Sequence, residues 1–147
     1  QRFGDIAAGI KDSSGDWENL LGITQNVADF MVYTGMEPML LDLLRVGGAG
    51  CITATANLIA PECQQVYEAW KNDQQEVAEN AQKKLTDLRI VLESYPFVSE
   101  LKSILADQTN SAQWKHMLPP FSPLLENEVR ELTAQIKENG LDLSRRF

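Results

Sequence analysis

Short apolar runs and amphipathic segments alternate along the first half of the chain. Mainly apolar runs of four or five residues predict buried strands, whereas apolar positions repeated every three or four residues predict helices. Strand–helix alternation with short connections is typical of parallel βα units, so the fold class is expected to be α/β. The predicted strands lie near 6–10, 30–33 and 51–55, and the predicted helices near 17–23, 37–46 and 61–71.

The second half of the chain contains no further strand candidate. Its apolar positions recur at steps of three and four, which predicts amphipathic helices separated by a loop over 109–120. We therefore expect two domains, with the βα units in residues 1–72 and a three-helix region in residues 73–147. The predicted helices are 74–95, 97–107 and 122–138.

Composition excludes several functional classes. The formal net charge is −8, which argues against nucleic-acid binding because phosphate contacts need clustered lysine and arginine. No run of eighteen apolar residues occurs, so no membrane span is expected. Cys51, Cys63 and His116 lack metal-ligand spacing. The two cysteines are therefore expected to be buried free thiols in a reducing cytoplasm.

Lys11 is the main candidate for chemistry because it follows the first apolar run. Parallel βα folds place reactive groups at the carboxyl ends of their strands. A lysine at such a position is expected to be partly removed from water, which favours the neutral amine that Schiff-base chemistry requires. From the local pattern alone, a strand-end lysine that reaches solvent is the commoner case, and both interpretations stay open.

Other polar residues near the strand ends are expected to have structural roles. Asp12 would point to the face opposite its neighbour on the strand, and Ser13 and Ser14 are typical turn residues without a nearby histidine. The glycine-rich segment 47–50 precedes a strand, whereas phosphate-binding loops follow one, so no phosphate site is expected there. The same structural expectation covers Asn57 and His116.

Three segments together resemble a known enzyme family. Residues 9–16 (GIKDSSGD) are similar to the G-[IV]-K-[DE]-[AST]-[ST]-G-[DN] motif of the dihydrodipicolinate synthase / N-acetylneuraminate lyase family. Residues 34–37 (TGME) and 47–57 (GGAGCITATAN) resemble the next two barrel strands of that family. The helices that follow are also similar, so the resemblance covers nearly the whole chain, with its motifs in the family's order.

The resemblance implies the C-terminal part of a (β/α)₈ barrel, namely strands six to eight with their helices, followed by a helical extension. It implies a carbon–carbon lyase or synthase in which Lys11 forms an imine with pyruvate or a related 2-oxo acid, which then reacts with an aldehyde. Gly35 would line the pocket, and the backbone carbonyl of Ile52 would face the active site. No metal or organic cofactor is implied, and family members are often homotetramers.

Two parts of the family pattern do not occur in this sequence. The carboxylate-binding loop and the catalytic tyrosine belong to earlier strands in the family, whereas Tyr33, Tyr67 and Tyr95 lie in other segments. Sialic acid lyases carry an acidic pair after the strand-seven glycine, where this chain has Glu37 and Pro38. The resemblance therefore favours a dihydrodipicolinate synthase or a sugar-acid aldolase over a sialic acid lyase.

The beginning of the sequence predicts a missing upstream part. The chain starts without methionine and enters its first strand candidate within a few residues. We therefore expect a C-terminal half, and we expect the isolated 147-residue chain to be inactive. Two alternatives to a catalytic role are a non-catalytic barrel-family protein whose helices serve assembly and an independent helical interaction module over residues 61–147.

Overall fold

Three short strands form one parallel sheet in the computed structural model, which describes residues 6–146. The strand order is β1–β2–β3, so the middle strand pairs with both others. The predicted α/β class with a parallel sheet is confirmed. The strands are β1 (Gly9–Asp12), β2 (Met31–Thr34) and β3 (Gly50–Cys51).

Six α-helices accompany the sheet within the described residues. A short 3-10 helix, Glu37–Met39, leads into α2. No helix in this part of the chain has both the length and the apolar character that crossing a bilayer demands. The helices are α1 (Trp17–Asn26), α2 (Leu40–Arg45), α3 (Ala56–Lys71), α4 (Gln75–Leu92), α5 (Phe97–Gln108) and α6 (Glu126–Glu138).

The first strand begins later than its apolar run predicts. Ile6 is 84% exposed, and the ladder with β2 begins only at the carbonyl of Ala8, which accepts a hydrogen bond from the Met31 amide at 3.0 Å. The pairing register therefore sets the start of β1, because a strand exists only where a neighbour completes its hydrogen bonds. As a result, Lys11 lies within the strand.

The third strand is shorter than predicted and the helix after it begins earlier. Thr53 Oγ1 accepts a hydrogen bond from the Ala56 amide at 3.3 Å, so residues 53–55 turn instead of extending the strand. The helix Ala56–Lys71 consists of two helical segments joined at Ile59, whose backbone angles are not helical, so the predicted start at Pro61 matches the second segment and the first segment was not predicted. Proline inside a helix removes one backbone hydrogen bond and crowds the preceding turn, which accounts for the kink.

The last helix begins at Glu126, four residues after the predicted start. The Leu124 amide donates to Ser103 Oγ at 2.9 Å, so this part of the chain is held by α5 before the helix starts. The Leu125 amide then donates to the Glu128 carboxylate at 2.7 Å, which satisfies a backbone donor at the helix N-terminus.

The described chain divides into two compact units, one up to Thr86 and one from Asp87. In the first unit, Leu20, Val32 and Leu43 form a buried cluster that joins α1, β2 and α2. This cluster covers one face of the sheet. It is completed by the partly buried side chains of Trp17, Ile23, Phe30 and Met39.

The second unit contains α5, α6 and the end of α4, each of which contributes fully buried apolar residues. Arg89 and Phe97 stabilise the α4–α5 connection, with the guanidinium 4.5 Å from the ring centroid. The Arg89 guanidinium also donates to the Glu93 carboxylate at 2.7 Å. The expected domain boundary after residue 72 lies in the link between α3 and α4, and it stays a prediction.

Candidate active site

Lys11 is the third residue of β1 and lies on the face of the sheet opposite the Leu20–Val32–Leu43 cluster. Val32 is buried, and side chains alternate along a strand, so its neighbours Met31 and Tyr33 point to the other face. Lys11 pairs with Tyr33 in the parallel register and therefore shares that face. Lys11 is exposed and Met31 is 48% exposed in the described chain, and the expected partial removal of Lys11 from water stays a prediction.

Gly35 provides the space that the Lys11 side chain occupies. Its amide donates to the Asp12 carbonyl at 2.6 Å, which continues the β1–β2 pairing by one residue. A methyl group added at this glycine would lie 2.9 Å from Lys11 Cε and 2.5 Å from Ser13 Oγ. The lysine side chain therefore lies directly over Gly35, where any side chain would displace it.

Ile52 follows β3 in the same way that Gly35 follows β2. The Ile52 amide donates to the Thr34 carbonyl at 2.9 Å, and the residue is 52% exposed. By strand alternation it shares the open face with Lys11 and Gly35. The structure thus places the three residues at the carboxyl ends of three adjacent parallel strands, where βα folds carry their active sites.

The turn after Lys11 is fixed by two carboxylates. Asp12 accepts hydrogen bonds from the Ser14 amide at 2.8 Å and from Asn19 Nδ2 at 3.0 Å. The bond from the Ser14 amide lowers the pKa of Asp12, and the side-chain bonds act in the same direction. Asp16 caps α1 by accepting from the amides of the helix's first turn. The structural role expected for Asp12 is confirmed.

Glu37 is fully buried in the turn between β2 and α2. Its carboxylate accepts a hydrogen bond from Thr55 Oγ1, and its backbone carbonyl accepts one from Gln82 Nε2 at 3.0 Å. Gln82 also accepts from the Leu41 amide at 3.0 Å. This carboxylate therefore joins the end of β2 to the start of α3. The Glu37 carboxylate is therefore not available to a ligand on the open face. Its burial was not predicted from the sequence.

The remaining polar candidates take part in local hydrogen bonds. Asn57 Nδ2 donates to the Ala54 carbonyl at 2.7 Å, and the His116 carbonyl accepts from Lys102 Nζ. Ser14 Oγ donates to Asp12 and accepts from the Asp16 amide. Within the described residues, no group of three or more histidine, cysteine or acidic side chains is placed to hold a metal ion.

The sequence of the chain matches a known protein family. The model of the dihydrodipicolinate synthetase family matches residues 5–139. The chain belongs to this family. Because the match runs through both halves of the chain, an independent helical module over residues 61–147 is not favoured.

Curated relatives of the chain are named as 4-hydroxy-tetrahydrodipicolinate synthases. The enzyme of Methanopyrus kandleri is 31% identical over 137 residues, which cover 90% of this chain and 44% of that enzyme. 4-Hydroxy-tetrahydrodipicolinate synthase 1 of Halalkalibacterium halodurans is 30% identical over 128 residues, which cover 86% of this chain and 43% of that enzyme. The chain thus spans less than half the length of these relatives.

Solved structures show the same fold. A prophage protein of the dihydrodipicolinic acid synthase family from E. coli K12, solved with pyruvate, has a TM-score of 0.83 at 25% identity. The match covers 95% of this chain and 48% of that one. N-acetylneuraminate lyase from Mycoplasma synoviae has a TM-score of 0.78 at 19% identity, and the match covers 92% of this chain and 45% of that one, which indicates fold similarity alone.

Proposed function

We propose that Lys11 forms an imine with the keto carbon of pyruvate or a related 2-oxo acid. The protein of which this chain is a part would then catalyse aldol condensation with an aldehyde or the reverse cleavage. The observation that carries the proposal is the Lys11 side chain lying over Gly35 on the open face of the sheet. Family membership and the pyruvate complex of the E. coli protein support it.

The chemistry follows from the amine itself. The neutral amine of Lys11 adds to the keto carbon, and loss of water gives an imine whose protonated form withdraws electrons from the adjacent carbon. That carbon can then lose a proton and attack an aldehyde, or receive the electrons of a breaking carbon–carbon bond. Gly35 leaves room for the Lys11 side chain. We assign the Ile52 backbone carbonyl to the same pocket because Ile52 follows β3 as Gly35 follows β2. No metal or organic cofactor takes part in these steps.

The proposed setting of this site is a (β/α)₈ barrel. We assign β1, β2 and β3 to strands six, seven and eight of such a barrel, and α4 to α6 to its helical extension. The fold shared with solved family members over 95% of this chain supports that assignment. A cytoplasmic location and a homotetrameric assembly stay predictions.

The buried Glu37 bears on the choice of substrate. Its carboxylate is bonded to Thr55 and points away from the open face, so it cannot hold the polyol of a sialic acid beside Lys11. We therefore propose a dihydrodipicolinate synthase or an aldolase for another sugar acid. The match to synthases at 30% and 31% identity supports the first of these.

Reductive trapping tests the proposal on this chain directly. With pyruvate and borohydride together, we expect the intact mass to rise by one carboxyethyl group per chain, because reduction makes the imine permanent. Pyruvate alone, or lactate with borohydride, should leave the mass unchanged, since neither yields a reducible product. A chain that stays unmodified while folded would contradict the proposal. We expect no aldol turnover by the same chain.

Replacing Gly35 by alanine should slow this trapping by about tenfold to a hundredfold. The added methyl group would meet Lys11 Cε at 2.9 Å and the Ser13 backbone at 3.0 Å, so the amine must move. Gly22→Ala is the matched control, because that glycine lies in α1 with open space around it. The rate of adduct formation measured by mass spectrometry should fall only for Gly35→Ala, and equal rates would refute the positioning role.

A further inference from the structure

Cys51 and Cys63 lie next to each other although twelve residues separate them in the sequence. Cys51 is on β3 and pairs in register with Thr34, whereas Cys63 is in α3 and is buried. Both thiols are free, as the sequence predicts, but only Cys63 is buried, whereas Cys51 is partly buried. Both cysteines line the same groove.

The environments of the two thiols shift their pKa values in opposite directions. The hydrogen bond from Cys63 lowers the pKa of the Cys51 thiol, against the opposing effects of burial and of the Glu37 carboxylate. The same hydrogen bond raises the pKa of Cys63, and burial raises it further. Cys51 is therefore the sulfur that becomes a thiolate, and the thiolate is the form that reacts with oxidants.

A groove gives small molecules access to this pair. Its volume is about 240 Å³, and both cysteines line it together with residues of β2 and α3. Tyr33 and Tyr67 are also among its lining residues. A hydroperoxide is small enough to enter such a groove and reach the Cys51 sulfur.

We propose that Cys51 and Cys63 are a redox-reactive thiol pair that hydroperoxides convert into an intramolecular disulfide. The Cys51 thiol first loses its proton to solvent, the thiolate attacks one oxygen of hydrogen peroxide, the O–O bond breaks, and the leaving hydroxide takes up that proton to become water. The resulting sulfenic acid is then attacked by the Cys63 sulfur, which loses its proton and releases water. Two thiols are oxidised, and one peroxide is reduced to two waters.

This pair is independent of the imine proposed for Lys11. The thiols lie between β3 and α3, on the side of the sheet that Thr34 faces, whereas Lys11 lies on the open face. Oxidation can therefore be measured whether or not the chain binds pyruvate. A failure of one proposal leaves the other standing.

Peroxide titration followed by digestion tests the pair. The folded chain is treated with hydrogen peroxide, its remaining thiols are alkylated, and it is cleaved with a protease that cuts after glutamate. Cleavage after Glu62 separates the two cysteines, and the Glu37–Pro38 bond resists such a protease, so peptides 19–62 and 63–68 should stay linked until a reductant is added. Two alkylated thiols after treatment, or disulfides formed only between chains, would overturn the proposal.

Two serine variants assign the roles within the pair. Cys63→Ser should accumulate a sulfenic acid at Cys51 that dimedone traps, because the second sulfur is absent. Cys51→Ser should keep its Cys63 thiol unmodified over the time in which the unsubstituted chain is fully oxidised. Circular dichroism checks that both variants are folded. Oxidation of Cys63 in the Cys51→Ser chain at the unsubstituted rate would contradict Cys51 as the reacting sulfur.

Discussion

Lys11→Arg should abolish the pyruvate adduct completely while leaving the fold intact. The guanidinium keeps the positive charge and much of the length of the lysine but offers no neutral amine to attack a keto carbon at ordinary pH. Lys11 is exposed on the open face of the sheet, so the substitution removes no buried contact. Intact-mass measurement after incubation with pyruvate and borohydride should show no carboxyethyl gain.

Lys71→Arg is the matched control for this experiment. Lys71 is an exposed lysine in the last turn of α3, with its ammonium 6.0 Å from the Tyr67 ring centroid. A residue of this kind contributes only nonspecific amine reactivity, so its replacement should leave the adduct yield unchanged. An undiminished yield in Lys11→Arg would show that labelling reflects surface lysines in general and would remove the central support for the proposed function.

Leu43→Ala should lower the free energy of unfolding by about 2–5 kcal/mol, the largest stability effect that we expect. Leu43 is fully buried between α1 and β2, where it packs with Leu20 and Val32. It also fills the space beside Gly48, whose added methyl group would lie 2.2 Å from Leu43 Cγ. Truncation therefore leaves a cavity beneath the central strand. Urea denaturation followed by circular dichroism measures the change.

Val46→Ala provides the control for that loss. Val46 ends the same helix but is 38% exposed, so removing its methyl groups should change stability by no more than about 0.5 kcal/mol. Equal shifts in the urea midpoint for both variants would show that Leu43 does not anchor the sheet. A loss confined to Leu43→Ala would support the packing that holds β2, and with it Gly35, in place.

The sequence is sufficient to predict features that depend on neighbouring residues. The turn after Lys11 follows from serine, glycine and aspartate in consecutive positions, and Asp16 caps the helix that comes next. The parallel βα order follows from the spacing of the apolar runs. The place of Lys11 at a strand end follows as well, although its exposure does not, because exposure depends on what covers the sheet.

Features that depend on distant partners were not predictable from one sequence. Glu37 is a charged residue in a turn, and its burial depends on Thr55 and Gln82, which are 18 and 45 positions away. The start of β1 is set by its register with β2 and not by the apolar run that begins at Ile6. The two cysteines, twelve positions apart, likewise come to line one groove only in the folded chain.

Mapping the site of the reduced pyruvate adduct tests the central claim most directly. The chain is reacted briefly with pyruvate and borohydride, digested with trypsin, and analysed by tandem mass spectrometry. We predict a carboxyethyl group on Lys11, and loss of tryptic cleavage after that residue, before any other lysine is labelled. Prior labelling of a different lysine, or equal labelling of all lysines, would contradict the account.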